Sequence, residues 1–186
     1  MRLDNVELIE TDEIGDFETV KAGLSSDSLE FILDALTDGL YQDKITAILR
    51  EYTSNMEDAI RVENKLDKPY YIIFNRDIDT NELWVSFKDH GSGISPDFMK
   101  KIFMNWGEST RRTANVGIGG FGIGSKSGLS YQNEIYITTT VDNLTSEYIL
   151  YKTGRLPELT LLNQYNSEEP NGTTIKIQIK EADYTT

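Results

Sequence analysis

The 186-residue sequence lacks cysteine, has a single histidine and contains no long apolar run. Without cysteine, neither a disulfide framework nor a thiolate metal site can form, and one histidine excludes a histidine-rich metal cluster. No segment reaches the roughly 18 consecutive apolar residues of a transmembrane helix. Met1 is followed by a polar, acidic stretch and not by an apolar signal sequence. These absences predict a soluble protein of the cytoplasm.

Basic residues are also scarce, since 18 lysines and arginines stand against 31 aspartates and glutamates and give a formal net charge of −13. Such an excess of carboxylates repels a phosphate backbone and disfavours non-specific binding to nucleic acid. The length fits one domain that buries a sizeable core without disulfides. We therefore expect residues 1–186 to form a single domain.

The longest helical pattern extends from Asp43 to Asn64, and a shorter one covers residues 25–36. At about 100° per residue, Glu51, Asn55 and Asp58 fall on a narrow polar stripe beside the apolar face of the longer helix. This placement predicts that the three side chains point toward the edge of a cleft. The residues of the apolar face are Ile45, Ile48, Leu49, Tyr52, Met56, Ala59 and Ile60.

Six further segments have strand character. Residues 70–75 and 82–88 flank a turn and predict an antiparallel pair, and a helix from Pro96 to about Met104 follows them. The other four strand segments are 134–141, 146–152, 158–162 and 173–180, the last of them preceded by the turn signal Asn171-Gly172. These elements predict a two-layer α/β (α+β) sandwich, with a mixed, mostly antiparallel sheet and the helices on one face. The glycine-rich segment 105–128 is predicted to be a mobile lid.

The segment Glu51-Tyr52-Thr53-Ser54-Asn55 places a carboxylate and a carboxamide one helical turn apart. Phosphoryl transfer to water needs a group that orients or deprotonates the water and a cation that bridges phosphate oxygens. Glu51 fits the first role. The side-chain oxygen of Asn55 fits a Mg²⁺ ligand, because Mg²⁺ prefers oxygen ligands and keeps several waters. A solvated helix pair is the alternative interpretation of this motif alone.

A second motif, Asp89-His90-Gly91-Ser92-Gly93, begins where the second predicted strand ends. Asp89 can accept a hydrogen bond from an exocyclic amine such as that of adenine, while Gly91 and Gly93 let a flat ring approach the backbone. A tight Asp-Gly turn is the alternative. His90 is interpreted as a loop residue.

The third motif is the glycine run from Gly117 to Gly124. Each glycine costs roughly 0.5–1 kcal/mol in a helix or strand. Phosphate bound by successive backbone N–H groups at a helix N-terminus would compensate, with Ser125, Lys126 and Ser127 opening that helix and Lys126 adding positive charge. The spacing fits neither a P-loop nor a dinucleotide fingerprint. Together the three motifs predict an ATP site.

With these motifs in this order, most of the chain resembles the GHKL ATPase superfamily. That superfamily includes type II topoisomerase ATPase domains, ninety-kilodalton heat-shock chaperones, histidine kinases and MutL-type mismatch-repair proteins. Arg50 through Ala59 looks like its N box, and Asp89 through Ile94 looks like its G1 box. Gly119 through Gly124 looks like its G2 box, and Gly172-Thr173 looks like its final Gly-Thr element.

The resemblance implies an ATPase with ATP and Mg²⁺ as ligands, in which Glu51 activates water, Asn55 binds Mg²⁺ and Asp89 binds adenine. It also implies that Thr173 assists Asp89 through a water and that Asp58 plays a supporting role. Ser109-Thr110-Arg111 is similar to the start of the family's lid. The remaining residues implied at the nucleotide are Gly91, Gly93, Ile94, Gly119, Gly120, Phe121, Gly122, Ile123, Gly124, Ser125 and Lys126.

Within the superfamily, residues 40–45, 119–127 and Ser130-Tyr131 look most like phage rIIA-type lysis-inhibition proteins, which implies a bacteriophage origin. Those relatives are longer, and relatives commonly supply from a second domain a lysine that contacts the terminal phosphate. Slow hydrolysis is therefore expected of this chain. Lid closure in relatives drives dimerisation, which implies a nucleotide-dependent homodimer. Peripheral association with the membrane is implied by the resemblance alone.

A second hypothesis makes the chain a catalytically weak or inactive nucleotide-binding module that binds a host protein during infection, and the acidity of the chain is consistent with it. A histidine-kinase catalytic domain shares the glycine motifs, but Glu51 fits hydrolysis by water better. A DNA mimic rests on net charge alone.

Overall fold

The computed structural model describes residues 19–21, 43–63, 67–104, 124–153 and 156–184. Seven strands in this part of the chain form one sheet: β1 (Thr19–Lys21), β2 (Tyr71–Arg76), β3 (Leu83–Lys88), β4 (Glu134–Val141), β5 (Leu144–Thr153), β6 (Leu156–Asn166) and β7 (Gly172–Ile179). The helices of the same part are α1 (Lys44–Val62), α2 (Pro96–Met104), a 3₁₀ helix (Gly124–Ser130) and α3 (Glu181–Tyr184).

The strand order in the sheet is β1-β6-β5-β4-β7-β3-β2. Every pairing between these strands is antiparallel. The expected α+β architecture with a mostly antiparallel sheet is therefore confirmed. A mixed sheet was also expected, but the described strands form no parallel pair. For β4 and β5 the reason is local, because the tight turn at Asp142 and Asn143 permits only antiparallel neighbours.

One face of the sheet carries the core. A row of apolar side chains crosses five neighbouring strands, and helices α1 and α2 add their own apolar side chains to the same buried cluster. This cluster places both helices on one face, where they bury apolar surface against the strands. The residues of the row are Val85, Ile177, Ile135, Leu150 and Leu159, and the helix residues are Ile48, Tyr52, Met56 and Met99.

Helix α1 begins where the sequence places it. The Asp43 side chain caps the helix, because its Oδ1 accepts a hydrogen bond from the Thr46 N–H at 3.0 Å. The hydrogen bond from the Thr46 hydroxyl to Oδ2 and the backbone bond to Thr46 lower the pKa of Asp43. The predicted β2–β3 pair and the helix from Pro96 to Met104 are also confirmed.

Four boundaries differ from the sequence-based expectations. Strand β5 begins at Leu144, because Asp142 and Asn143 adopt positive φ angles of 50° and 67° and form a tight hairpin turn. Strand β6 extends to Asn166 through exposed polar residues, which lack the apolar alternation that marks a strand. Gly172 belongs to β7 and not to the turn before it, and residues 124–128 of the expected lid lie in the 3₁₀ helix. The predicted helix at 25–36 and lid residues 105–123 lie outside the described part of the chain.

Candidate functional site

Asp89 lies directly after β3 and is held by backbone groups. Its own N–H donates to the Thr173 carbonyl at 2.9 Å, which extends the β3–β7 pairing by one residue. Its Oδ1 accepts hydrogen bonds from the N–H of Gly91 at 2.8 Å and from the N–H of Thr173 at 3.2 Å. The residue is only 8 % exposed. The orientation of the carboxylate is therefore fixed by two strand ends before any ligand arrives.

The glycines around Asp89 have no room for a side chain. A Cβ on Gly91 would lie 2.9 Å from the Cβ of Ala59 on α1, and a Cβ on Gly172 would collide with the Asp89 carbonyl oxygen. Gly93 has a φ of +76°, and a Cβ there would collide with the Thr140 carbonyl oxygen. The loop after β3 thus packs directly against α1, β4 and β7, as its glycines permit.

Thr139 on β4 is a part of this site that sequence reasoning missed. It is 1 % exposed, and its Oγ1 accepts a hydrogen bond from the Ile94 N–H at 2.7 Å. The same oxygen lies 3.3 Å from the Gly172 carbonyl oxygen and 3.4 Å from Thr173 Oγ1. A hydroxyl at a core-facing position, two residues after the buried Ile137, was the signal that could have identified it.

Replacement of Thr139 by valine is expected to lower the free energy of unfolding by about 1–3 kcal/mol, because the Ile94 N–H loses its acceptor. Urea unfolding of Thr139→Val and Thr139→Ser measures this effect. Serine keeps the hydroxyl and removes only a methyl group, so it is the matched control. Equal stability of the two variants would show that the hydroxyl does not hold the loop.

Helix α1 brings Glu51 and Asn55 to the same side of the molecule as Asp89. Glu51, Asn55 and Ala59 are spaced four residues apart and therefore form one line along the helix. Ala59 is the residue that contacts Gly91. Glu51 and Asn55 are half-buried, and Arg50 Nη2 lies 3.1 Å from Glu51 Oε1. Asp58 is buried, with 5 % of its surface exposed.

The 3₁₀ helix contacts α1 at Tyr52, two helical turns before Ala59. Gly128 donates its N–H to the hydroxyl oxygen of Tyr52 at 3.2 Å, and Ser127 and Leu129 are buried on either side of it. The helix begins at Gly124, the last glycine of the third motif, so its backbone includes Ser125 and Lys126. Gly119, Gly120, Phe121, Gly122 and Ile123, like Ser109-Thr110-Arg111, lie outside the described residues.

The structure therefore brings the predicted residues around Asp89 together. The helix that carries Glu51 and Asn55 lies next to them. Hydrogen bonds join Asp89 to Gly91 and Thr173, while Gly93 and Ile94 complete the loop against β4. The helix with Glu51 and Asn55 meets this loop at Ala59. Within the described part of the chain, no group of three or more histidine, aspartate or glutamate side chains could hold a metal ion. Mg²⁺ commonly keeps several waters and binds substrate phosphates, so a Mg²⁺ ion at Asn55 would not require such a group.

Sequence searches against protein-family models and against curated proteins gave no match to this chain. In the described segments, no helix combines the length and apolar character needed to cross a membrane.

Proposed function

We propose that this protein binds Mg-ATP between α1, the loop after β3 and the 3₁₀ helix, and that it hydrolyses the bound ATP slowly. The observation that carries the proposal is the buried Asp89 carboxylate, fixed by the Gly91 and Thr173 N–H groups and joined to the Glu51 helix through Ala59 and Gly91. A carboxylate held in this way presents a preformed acceptor. It supports recognition of a base with an exocyclic amine, such as adenine.

The distance along α1 also fits a nucleoside triphosphate. With a helical rise of 1.5 Å per residue, Asn55 lies about 6 Å and Glu51 about 12 Å along the axis from Ala59. Ala59 marks the level of the Asp89 loop. A nucleotide with its base at Asp89 and its phosphates along α1 therefore brings the terminal phosphate to the level of Glu51.

Each residue then has a chemical role. Glu51 accepts a proton from the attacking water, and Asn55 supplies one oxygen ligand to the Mg²⁺ that the phosphates bring. The 3₁₀ helix follows the glycine run. The backbone N–H groups of Ser125 and Lys126, in its first turn, bind phosphate. The Mg²⁺ ion, when bound, neutralises charge on the phosphate oxygens.

This function agrees with the resemblance to the GHKL superfamily and to phage rIIA-type proteins, and we propose that relationship on the three motifs. We also propose that ordering of the remaining lid residues, 105–123, over the triphosphate promotes a homodimer. The sequence motifs alone support these two proposals.

Calorimetric titration with a non-hydrolysable ATP analogue and Mg²⁺ tests the function. We expect saturable binding of one nucleotide for each chain, with weaker binding of the corresponding GTP analogue because guanine presents a carbonyl group in place of the adenine amine. Phosphate release from ATP measures turnover. Binding without turnover would favour a nucleotide-binding module that acts on a host protein, and absence of binding would overturn the proposal.

A further inference from the structure

Tyr52 lies between Glu51 and Asn55 in sequence, but its side chain faces the core. The residue is 1 % exposed, and its ring centroid lies 5.0 Å from that of Phe87. Phe87 precedes Asp89 by two residues on β3. The hydroxyl oxygen of Tyr52 accepts the hydrogen bond from Gly128. One buried side chain therefore contacts β3 and the 3₁₀ helix, and so links the elements that carry all three motifs.

The 3₁₀ helix is fixed closely at Gly128. A Cβ at this position would lie 2.8 Å from Ile177 Cδ1, 2.9 Å from Ile135 Cδ1 and 3.0 Å from the Tyr52 hydroxyl oxygen. The backbone at Gly128 is thus pressed against β4, β7 and α1 together. Its position relative to Glu51 and Asn55 depends on how these side chains hold it.

The side chain of Ser127 does not hold this turn through a hydrogen bond, although its backbone carbonyl oxygen accepts one from the Ser130 hydroxyl at 2.6 Å. Its side chain is 0 % exposed, and its Oγ has no hydrogen-bond partner among the described residues. An unpaired buried hydroxyl is unfavourable. Other contacts must therefore hold the turn in place, and the Tyr52–Gly128 hydrogen bond is one that reaches α1 directly.

The residues after Gly128 are held from the sheet side. The N–H groups of Tyr131 and Gln132 donate to the Gly128 carbonyl oxygen at 3.0 and 2.8 Å, and Gln132 Nε2 donates to the Gln178 carbonyl oxygen at 2.9 Å. The Tyr131 hydroxyl donates to Asp183 Oδ2 at 2.6 Å, and burial together with this acceptor raises the pKa of Tyr131 to about 12. The far end of the segment is therefore attached to β7 and α3, independently of Tyr52.

We infer that Tyr52 is a positioning residue for the phosphate end of the site. Its hydroxyl sets the distance between the 3₁₀ helix and the Glu51–Asn55 edge of α1. This inference rests on the proposed function and deepens it, because it assigns separate supports to the two ends of the nucleotide. The adenine end is held by other hydrogen bonds, from the Gly91 and Thr173 N–H groups to Asp89 and from the Ile94 N–H to Thr139.

Titration of Tyr52→Phe with two ligands tests the inference. Phenylalanine keeps the ring against Phe87 and removes only the hydroxyl. Affinity for the non-hydrolysable ATP analogue with Mg²⁺ is expected to fall about three- to tenfold, as the loss of one hydrogen bond implies. Affinity for adenosine is expected to stay the same. Tyr136→Phe is the matched control, since it removes a hydroxyl that lies 3.1 Å from Glu134 Oε1 on the opposite face of the sheet.

The outcomes separate the inference from the proposed function. Equal losses for both ligands, or no loss for either, overturn the positioning role while nucleotide binding by the unaltered chain still stands. If the unaltered chain binds neither ligand, the proposed function fails and this inference fails with it.

Hydrogen exchange of the unaltered chain provides a second measurement should Tyr52→Phe not fold. We expect the ATP analogue to slow exchange of the amides of residues 124–128, and adenosine to leave their exchange unchanged. Equal protection by the two ligands overturns the inference.

Discussion

Glu51→Ala is expected to bind ATP as the unaltered chain does and to lose hydrolysis by about 100-fold or more. Removal of a general base lowers the rate of proton transfer by roughly 10²–10⁴-fold. The fold should tolerate the change, because the Arg50 partner of Glu51 is 69 % exposed and such surface ion pairs contribute little. Phosphate release and titration with the ATP analogue, measured on the same preparation, check both parts of the expectation.

Two further variants sharpen the experiment. Glu51→Gln keeps the size of the side chain and removes its basicity, so it should lose hydrolysis to the same extent. Glu57→Ala removes another carboxylate from α1, one that pairs with Arg61, and should hydrolyse ATP at the rate of the unaltered chain. Unchanged turnover in Glu51→Ala would exclude Glu51 as the base.

Asp89→Asn is expected to reduce affinity for the ATP analogue by about 10- to 150-fold, which corresponds to the 1.5–3 kcal/mol of a hydrogen bond to a charged group. The asparagine oxygen can still accept from the Gly91 and Thr173 N–H groups, so the loop keeps its structure. Its amide NH₂ then replaces the second carboxylate oxygen and faces the adenine amine with a donor. Calorimetric titration measures the loss directly.

The same substitution should change base preference. An inosine nucleotide presents a carbonyl oxygen where adenine has its amine, so it should bind Asp89→Asn better than an adenine nucleotide does. Asp142→Asn is the control, because Asp142 is exposed in the β4–β5 turn with a positive φ that asparagine tolerates. Unaltered affinity and preference in Asp89→Asn would place the base elsewhere.

The sequence predicted those parts of the fold that depend on near neighbours. Helix α1 was predicted because its apolar residues repeat with the helical period, and the position of Asp89 followed from a strand that is succeeded by glycines. Strand β1 was not found, because three residues are too few for a pattern. This strand forms only by pairing with β6, in which Val20 lies opposite Leu159.

The unpredicted parts of the site depend on contacts that are distant in sequence. The apolar stripe of α1 predicted that Tyr52 would be buried, but the partner of its hydroxyl lies 76 residues away. Thr139 supports Ile94 across 45 residues. Both contacts exist only because the sheet places β4 and β7 beside the helices, and the pairing order of strands was beyond what local patterns can specify.

Strand β7 lies between β4 and β3, although it is the last of the seven strands to be synthesised. Until β7 joins the sheet, β2–β3 and β4–β6 are two separate sheets. Asp89 also lacks the hydrogen bond from the N–H of Thr173, which follows it by 84 residues. Such distant pairing is slow, because a long loop must close first. On the ribosome, the nascent chain therefore exposes the unpaired strand edges of two half-sheets until β7 emerges, and the Asp89 carboxylate gains its hydrogen bond from Thr173 only then.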